Sequence, residues 1–298
     1  MVSRNSAPRM NATPLTPKRA AVLTAACLVI LFGAIRPQTA FAYVLKGPHV
    51  LQLVAKAIGR LPPLKIEQKL LIYPQTKDSF PTAVDETVIY VMPRRFRSDI
   101  VSDRINRTYL EVGDQSLTVV DGRLAMVQDP FDRYQRLLRS RTRTQLMKTL
   151  SALGVETAIS SLGRIDETVV FVIGAHYPDE SVSQLAVDKE TFLPLRLLLT
   201  DPERDDPGQR LEIYYHNWQK VQDGWFPTQI VFFIGGNLAR EIRVVQMRVN
   251  PSIPADLMDL EALSASVAAT RADTVQDEKQ ETVEAIQQGV QDFQKKFD

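Results

Sequence analysis

The sequence predicts a mainly β chain with helices, an α+β fold built on one antiparallel meander. Three observations predict it. Apolar and polar residues alternate with period two from Leu64 to Val249, two-residue turn signals separate many of the runs, and helical spacing interrupts the alternation only once after it begins. About eleven short strands joined by tight turns must curl into a barrel or split into a sandwich, with one face packed and the other wet.

The elements follow in order. Gly47-Pro48 opens a helix, since proline is tolerated in the first turn. Val50, Val54, Ala57, Ile58 and Leu61 then recur at helical spacing until Leu61-Pro62-Pro63 stops it. From Leu64 the period changes. Ile66, Leu70 and Ile72 share one face of a strand whose other face carries Glu67 and Lys69. Similar runs cover 87–92, 96–101, 107–112, 115–120 and 123–127, then 167–175, 183–188, 192–199, 209–218, 225–234 and 239–249. Asp121-Gly122 and Asp223-Gly224 are hairpin signals, because Asp and Gly accept positive φ at low cost. Val112-Gly113-Asp114 and Gly235-Gly236-Asn237 make looser turns.

The interruption at 133–153 has helical spacing. Leu146, Leu150 and Leu153 share a face, with Met147 beside it and Gly154 placed to end the helix. Arg133, Arg136, Arg139, Arg141 and Arg143 make its first half strongly basic. Such a run reads either as a solvated helix face or as a contact for anionic lipid or an acidic partner. After Asp259 the chain turns helical again, and Val283, Ile286, Val290, Phe293 and Phe297 recur at 3-4 spacing around Gly289. That tail suits a helix packed on the sheet, a frayed end or a partner-docking helix.

The first 42 residues have the three parts of a secretory signal: a basic start (Arg4, Arg9, Lys18, Arg19), an apolar run from Ala20 to Ile35, and Ala40-Phe41-Ala42. The apolar run of 16 residues falls short of the ~20 that cross a bilayer comfortably, which favours cleavage after Ala42 over an uncleaved anchor. Lipidation at Cys27 is disfavoured by Thr24, which stands where an aliphatic residue belongs. The expected division is therefore a signal at 1–42, a domain at 43–258 and a helical extension at 259–298. Five of the 36 basic residues and none of the 35 acidic ones lie in 1–42, leaving 31 against 35 and a formal charge of −4. Mild acidity argues against a nucleic-acid partner. Cys27 is the only cysteine, so the exported form has neither disulfide nor thiolate chemistry.

Catalytic and metal signatures are missing. His49, His176 and His216 stand far apart without acidic neighbours at ligand spacing. No G-x-S-x-G, glycine-rich phosphate loop or H-E-x-x-H occurs. Asp201-Pro202-Glu203-Arg204-Asp205-Asp206 lacks the alternation and glycine of a calcium loop and reads as a surface turn. The expectation is a protein without catalytic residues, metal or cofactor. The inward strand positions read as Ile, Leu, Val and Phe with few polar groups, a composition equally suited to a filled core or an apolar ligand cavity.

Several segments, in order, bear a likeness that composition alone does not supply. Tyr90-Val91-Met92-Pro93-Arg94-Arg95-Phe96-Arg97 resembles the V-x-R-P-x-x-F-R stretch of LolA-type outer-membrane lipoprotein carriers. Leu117-Thr118-Val119-Val120-Asp121-Gly122 resembles that family's next signature, and Asp129-Pro130-Phe131 its N-P-F. Trp225-Phe226-Pro227 and Val249-Asn250-Pro251 are similar to segments of more distant lipoprotein-sorting relatives. The likeness spans residues 47–258.

The resemblance implies an unclosed β-barrel covered by helices, whose apolar cavity takes acyl chains of lipoproteins or phospholipid. Cavity candidates are then Leu70, Ile72, Phe96 and Ile100, with the Leu146, Leu150 and Leu153 face. The motif and lid candidates are Met92, Pro93, Arg94, Arg95, Asp121 and Gly122. In the family an arginine associated with holding the lid closed precedes the proline; Met92 stands there in this chain. Implied partners are an inner-membrane ABC transporter as donor, an outer-membrane acceptor and a transient membrane contact. The alternative is a lipid or lipoprotein sensor acting on envelope-stress signalling through a protein partner, with 259–298 as the contact. A structural protein with a filled core is the third reading.

Overall fold

A computed structural model of the chain describes residues 44–74, 80–125, 129–200 and 210–268. The expected signal with Cys27, the acidic turn at Asp201–Asp206 and the seam from Val283 to Phe297 lie outside these residues.

The first wing of the sheet comprises β1 (Leu64–Ile72), β2 (Thr82–Val91), β3 (Arg95–Val101), β4 (Asn106–Val112), β5 (Gln115–Val120) and β6 (Arg123–Leu124). The second comprises β7 (Ser160–Ile165), β8 (Thr168–Ile173), β9 (Gln184–Asp188), β10 (Pro194–Leu199), β11 (Leu211–Val221), β12 (Gly224–Ile234) and β13 (Asn237–Val249). They form one antiparallel sheet in the order β6-β5-β4-β3-β2-β1-β13-β12-β11-β10-β9-β8-β7. The first strand pairs with the last, so the two wings meet at β1 and β13. The free edges are β6 and β7, which are consecutive in sequence. The sheet is therefore curled and unclosed, and the chain between its edges carries the mid-chain helices. The count is thirteen rather than about eleven. One strand without a predicted counterpart is β7: an edge strand, half-exposed along its length, it has no buried face to impose alternation.

Turn chemistry follows the expectation at Asp121-Gly122 and departs from it by one residue at Asp223-Gly224. Asp121 and Gly122 both adopt positive φ, 48° and 72°, the arrangement a two-residue hairpin between right-twisted strands requires. Between β11 and β12 the turn residues are Gln222 and Asp223, and Gly224 already belongs to β12. Gly224 meets Gly59, whose φ is 65°, across an isolated bridge. A Cβ on Gly59 would lie 2.0 Å from the Asp223 carbonyl oxygen, so only glycine fits there.

Helix α1 (Gly47–Ile58) buries Val50, Leu51, Val54 and Ile58 and packs against β12 and the later helix at Arg143–Ala152. The single helix expected at 133–153 is broken. A 3-10 turn at Pro130–Arg133 leads into α2 (Tyr134–Arg139), and α3 (Arg143–Ala152) follows. Ser140 is extended (ψ 101°), and Thr142 starts α3 with a reciprocal cap: its hydroxyl accepts from the Gln145 N–H and the Gln145 carboxamide accepts from the Thr142 N–H. The T-x-x-Q spacing of Thr142 and Gln145 is the sequence signal of this start. Leu137, Leu138, Leu146 and Leu150 turn into the same core as the inner face of the sheet.

On the outer face, Ile89 and Leu110 are covered by Ile253, Leu257, Met258, Leu260 and Leu263. The segment after β13 thus folds back over the first wing, tied by an Arg97 guanidinium that donates to the Leu257 carbonyl at 2.9 Å. Residues 260–268 are helical, beginning just beyond Asp259. Among the described residues, no helix is long and apolar enough to cross a membrane.

Candidate functional site

Where the chain leaves β6 and turns toward the helices, it covers a cavity of about 150 Å³. Strand β1 contributes Leu70 and Ile72, strand β2 Val84 and Glu86, and strand β3 Ile100. On β1 and β2 these are successive inward positions, two residues apart. Phe232 of β12 and Ile242 of β13 complete an apolar wall. The cover is the Asp129–Asp132 turn with Phe131 pointing down, its ring edge-on to Phe232 at 5.6 Å. Below lies an aromatic stack that separates the cavity from the core. Tyr134 is edge-on to Phe232 (5.7 Å) and to Phe96 (6.4 Å), and Phe96 touches Tyr90 at 4.9 Å.

The turn is formed and held by charge. Asp129 caps it, accepting from the Phe131 N–H at 3.0 Å, and proline at the next position needs no donor partner. Its other carboxylate oxygen meets Arg240 of β13 at 2.8 Å, and the Arg240 guanidinium lies 3.8 Å over the Phe131 ring. Asp132 pairs with Arg107 of β4. One turn is therefore latched to both wings of the sheet, across β1, β2 and β3. The four side chains of the two pairs are between 11 % and 23 % exposed, so the pairs are only partly screened by water. Burial pushes the Asp132 carboxyl up to about 6; Arg107 opposes the rise, and Asp129 and Glu86 add to it.

The inner face is more polar than the alternation suggested. Gln68, Glu86 and Ser98 sit side by side on β1, β2 and β3, all buried. The Gln68 carboxamide donates to Glu86 at 2.7 Å and the Ser98 hydroxyl donates to the other oxygen. The expectation of few inward polar groups fails because these residues satisfy one another, which removes the cost that would exclude them. Nor is the arginine run a solvated helix face. Arg133 and Arg143 are exposed, but Arg139 and Arg141 are buried. Arg141 donates to the Ile58 carbonyl, at the end of α1, and to the Trp225 carbonyl of β12, both at 3.0 Å. Burial pushes its guanidinium down to about 10, and its Nε and one amino group have no partner among the described residues. Arg141 thus ties the helical segment to α1 and β12.

The sequence-predicted residues separate into groups. Leu70, Ile72 and Ile100 line the cavity. Phe96 lies in the aromatic stack beneath it, and Leu146 and Leu150 pack fully buried in the main core. Leu153 borders a second space of about 180 Å³ with Tyr109, Asp132 and Arg136. Met92 is half-buried against the core, while Pro93 and Arg94 border a polar groove of about 600 Å³. Arg95 is exposed at the start of β3. Asp121 and Gly122 are away from the cavity; the Asp121 carboxylate accepts from the Asn106 N–H at 2.8 Å and clips the start of β4. Sequence reasoning missed Val84, Glu86, Arg107, Asp132 and Arg240. The signal for Arg107 and Arg240 was an arginine at an inward strand position, two residues from Tyr109 and Ile242 respectively. Among the described residues no group of three or more His, Cys, Asp or Glu could hold a metal ion.

No family model matches the chain, and no curated protein matches it. Among solved structures it is similar to a LolA superfamily protein from Nitrosomonas europaea, at 11 % identity and TM-score 0.48 over 73 % of this chain and 99 % of that one. A putative outer membrane lipoprotein-sorting protein domain from Vibrio parahaemolyticus matches at 10 % identity and TM-score 0.48, over 73 % and 97 %. The Pseudomonas aeruginosa MucA/MucB complex matches at 14 % identity and TM-score 0.24, over 73 % and 62 %. The chain is thus similar to LolA superfamily and lipoprotein-sorting structures, at low identity.

Proposed function

We propose that this chain is an exported acyl-chain binder, a carrier that moves lipoproteins or other envelope lipids between inner and outer membrane. The observation that carries the reading is the apolar cavity on the inner face of the sheet, covered by a turn that polar contacts hold to both wings. The signal-like segment 1–42 supports export, and the motif order from Tyr90 to Pro251 supports the acyl cargo.

The physics fits that task. Burying an acyl chain is worth about 0.8 kcal/mol per CH₂, so a sixteen-carbon chain is held in a membrane by roughly 12 kcal/mol and needs an apolar shelter to cross water. A cavity of about 150 Å³ admits a body about the size of benzene. In this closed form it holds the end of a chain, and a longer stretch enters when the Asp129–Asp132 turn lifts. Leu70, Ile72 and Ile100 are the proposed acyl contacts. An ABC transporter as donor and an outer-membrane acceptor complete the proposed route.

The test is native mass spectrometry on the secreted form beginning at Tyr43, purified without detergent, followed by solvent extraction. Phospholipid or acylated peptide near one per chain is the expected result. A clean apo mass with no uptake of a fluorescent acyl probe would remove the carrier reading and favour a structural or protein-sensing role.

A further inference from the structure

The cavity does not end at the latch. Arg107, Tyr109 and Glu111 are successive inward positions on β4, and each borders a different space: the apolar cavity, the 180 Å³ throat and the 600 Å³ groove. At ~3.4 Å per residue the walk from first to last is about 14 Å along one strand. The throat shares Asp129 and Asp132 with the cavity, and Arg136 and Ala152 with the groove. The three lie in line along β4, apolar at one end and polar at the other.

The polar end is basic. It is bordered by Arg94, Arg136, Arg139 and Lys148 against only Glu111 and Asp114. Glu111 is fully committed. It pairs with Arg139 and accepts from the Tyr109 hydroxyl (2.6 Å) and the Gln135 carboxamide (2.9 Å), with Arg136 Nε at 3.4 Å. Burial would raise its carboxyl, but Arg139, the Tyr109 hydroxyl and Arg136 hold it below its ordinary value, so it stays charged and neutralises Arg139. Lys148 and Asp114 form an exposed pair at 3.6 Å, a contact of little strength. Arg94 has no carboxylate partner among the described residues, and the carboxylate oxygen that Arg136 meets is one that Tyr109 and Gln135 already occupy. Two positive charges are left over. In addition, Arg139 is 5 % exposed and its Nε–H has no partner among the described residues, a donor left open beside the groove.

We propose that this groove receives the negatively charged phosphoester headgroup of the amphiphile whose chain enters the cavity. The cargo class is then an anionic phospholipid rather than a lipoprotein anchor, whose glyceryl linkage carries no phosphate. The assignment rests on the acyl-binding reading. Arg94 and Arg136 are its specific ligands, because guanidinium groups match a phosphate in both charge and geometry.

The experiment compares equilibrium binding of lysophosphatidylglycerol with that of the monoacylglycerol carrying the same chain, at physiological salt and below micelle formation. The wild-type chain should prefer the phospholipid by about tenfold or more, the worth of one hydrogen bond to a charged group. The double variant Arg94→Gln/Arg136→Gln should lose that preference and keep its affinity for the monoacylglycerol; Arg94→Gln alone, at an exposed site, serves if the double variant fails to fold. Equal wild-type affinity for the two lipids overturns the headgroup site and leaves the acyl reading standing. Binding of neither lipid overturns both. Glycerol phosphate competing as strongly as the phospholipid would mean a site for free phosphoesters and overturns the amphiphile assignment, as does an unchanged preference in the variants.

Discussion

Acid should make the closed form harder to open. The perturbation is a shift from about pH 7.5 to about pH 5, which crosses the one latch carboxyl that burial raises strongly. In the closed turn Asp132 titrates near 6, against an ordinary value of 3.8. The groups facing it are Arg107 on β4, Asp129 in the same turn and Glu86 on β2, with Arg240 holding Asp129 from β13. Lifting the turn returns Asp132 to water and to its ordinary value. A group whose closed-state value is raised binds its proton more tightly when closed, so protonation favours closure. That contribution is complete below about 4 and is lost as pH rises through about 6. Between the two conditions the closed-to-open ratio rises about tenfold, or ~1.4 kcal/mol. The apparent affinity for an acyl probe that needs the open form falls by the same factor. Titration of a fluorescent acyl ester, which has no ionisable group, reads the effect directly. Asp132→Asn should remove the pH dependence. Uptake that is unchanged or tighter at the acid condition, or an equal dependence in Asp132→Asn, would refute the reasoning.

Two further outcomes follow from the cavity and the tie. Val84→Phe, at a 9 % exposed cavity position, should cut acyl-probe affinity at least tenfold while holding or raising Tm, since a filled cavity removes up to about six carbons' worth of burial at ~0.8 kcal/mol each; the same change at Val245, 66 % exposed, should leave both unchanged. Arg141→Met should speed amide exchange across 134–152 about tenfold with little change in Tm, because two carbonyls lose their donor, at ~1–3 kcal/mol each, while a buried cation without a carboxylate is relieved; unchanged exchange would show that the tie is idle.

The sheet was legible because its information is local. Alternation on β1 and β3 places Ile66, Leu70, Phe96 and Ile100 inward in sequence as in structure, and Asp121-Gly122 makes its turn from two residues alone. The break at Ser140 was written in Thr142 and Gln145 but hidden by an apolar period that spans both helices. The latch was not legible, because its pairs join residues 25 and 111 positions apart, Arg107 with Asp132 and Asp129 with Arg240. Likewise Glu86 reads as a solvent-facing residue until Gln68 and Ser98 arrive from neighbouring strands. Alternation marks which face a residue takes; it does not mark which inward positions border empty space. That is why inward Phe96 packs among the aromatic rings beneath the cavity, whereas Val84 was missed.

The latch is also suited to reopening. The Arg107–Asp132 pair adds little to closure, because burial outweighs the attraction that Arg107 supplies, and the partly exposed Asp129–Arg240 pair adds about 1 kcal/mol. The stacking of Arg240 on Phe131 adds about another 0.5–1 kcal/mol, and burying Phe131 about 2 kcal/mol. Closure is then worth a few kcal/mol, so the open form stays within thermal reach. Opening breaks no strand pairing, since the turn belongs to neither edge of the sheet. A cover built from a long apolar helix would close more tightly and release its cargo more slowly. A short charged turn spanning both wings instead leaves the lifetime of the closed form to a handful of side chains, of which Asp132 is the one whose charge changes near neutral pH.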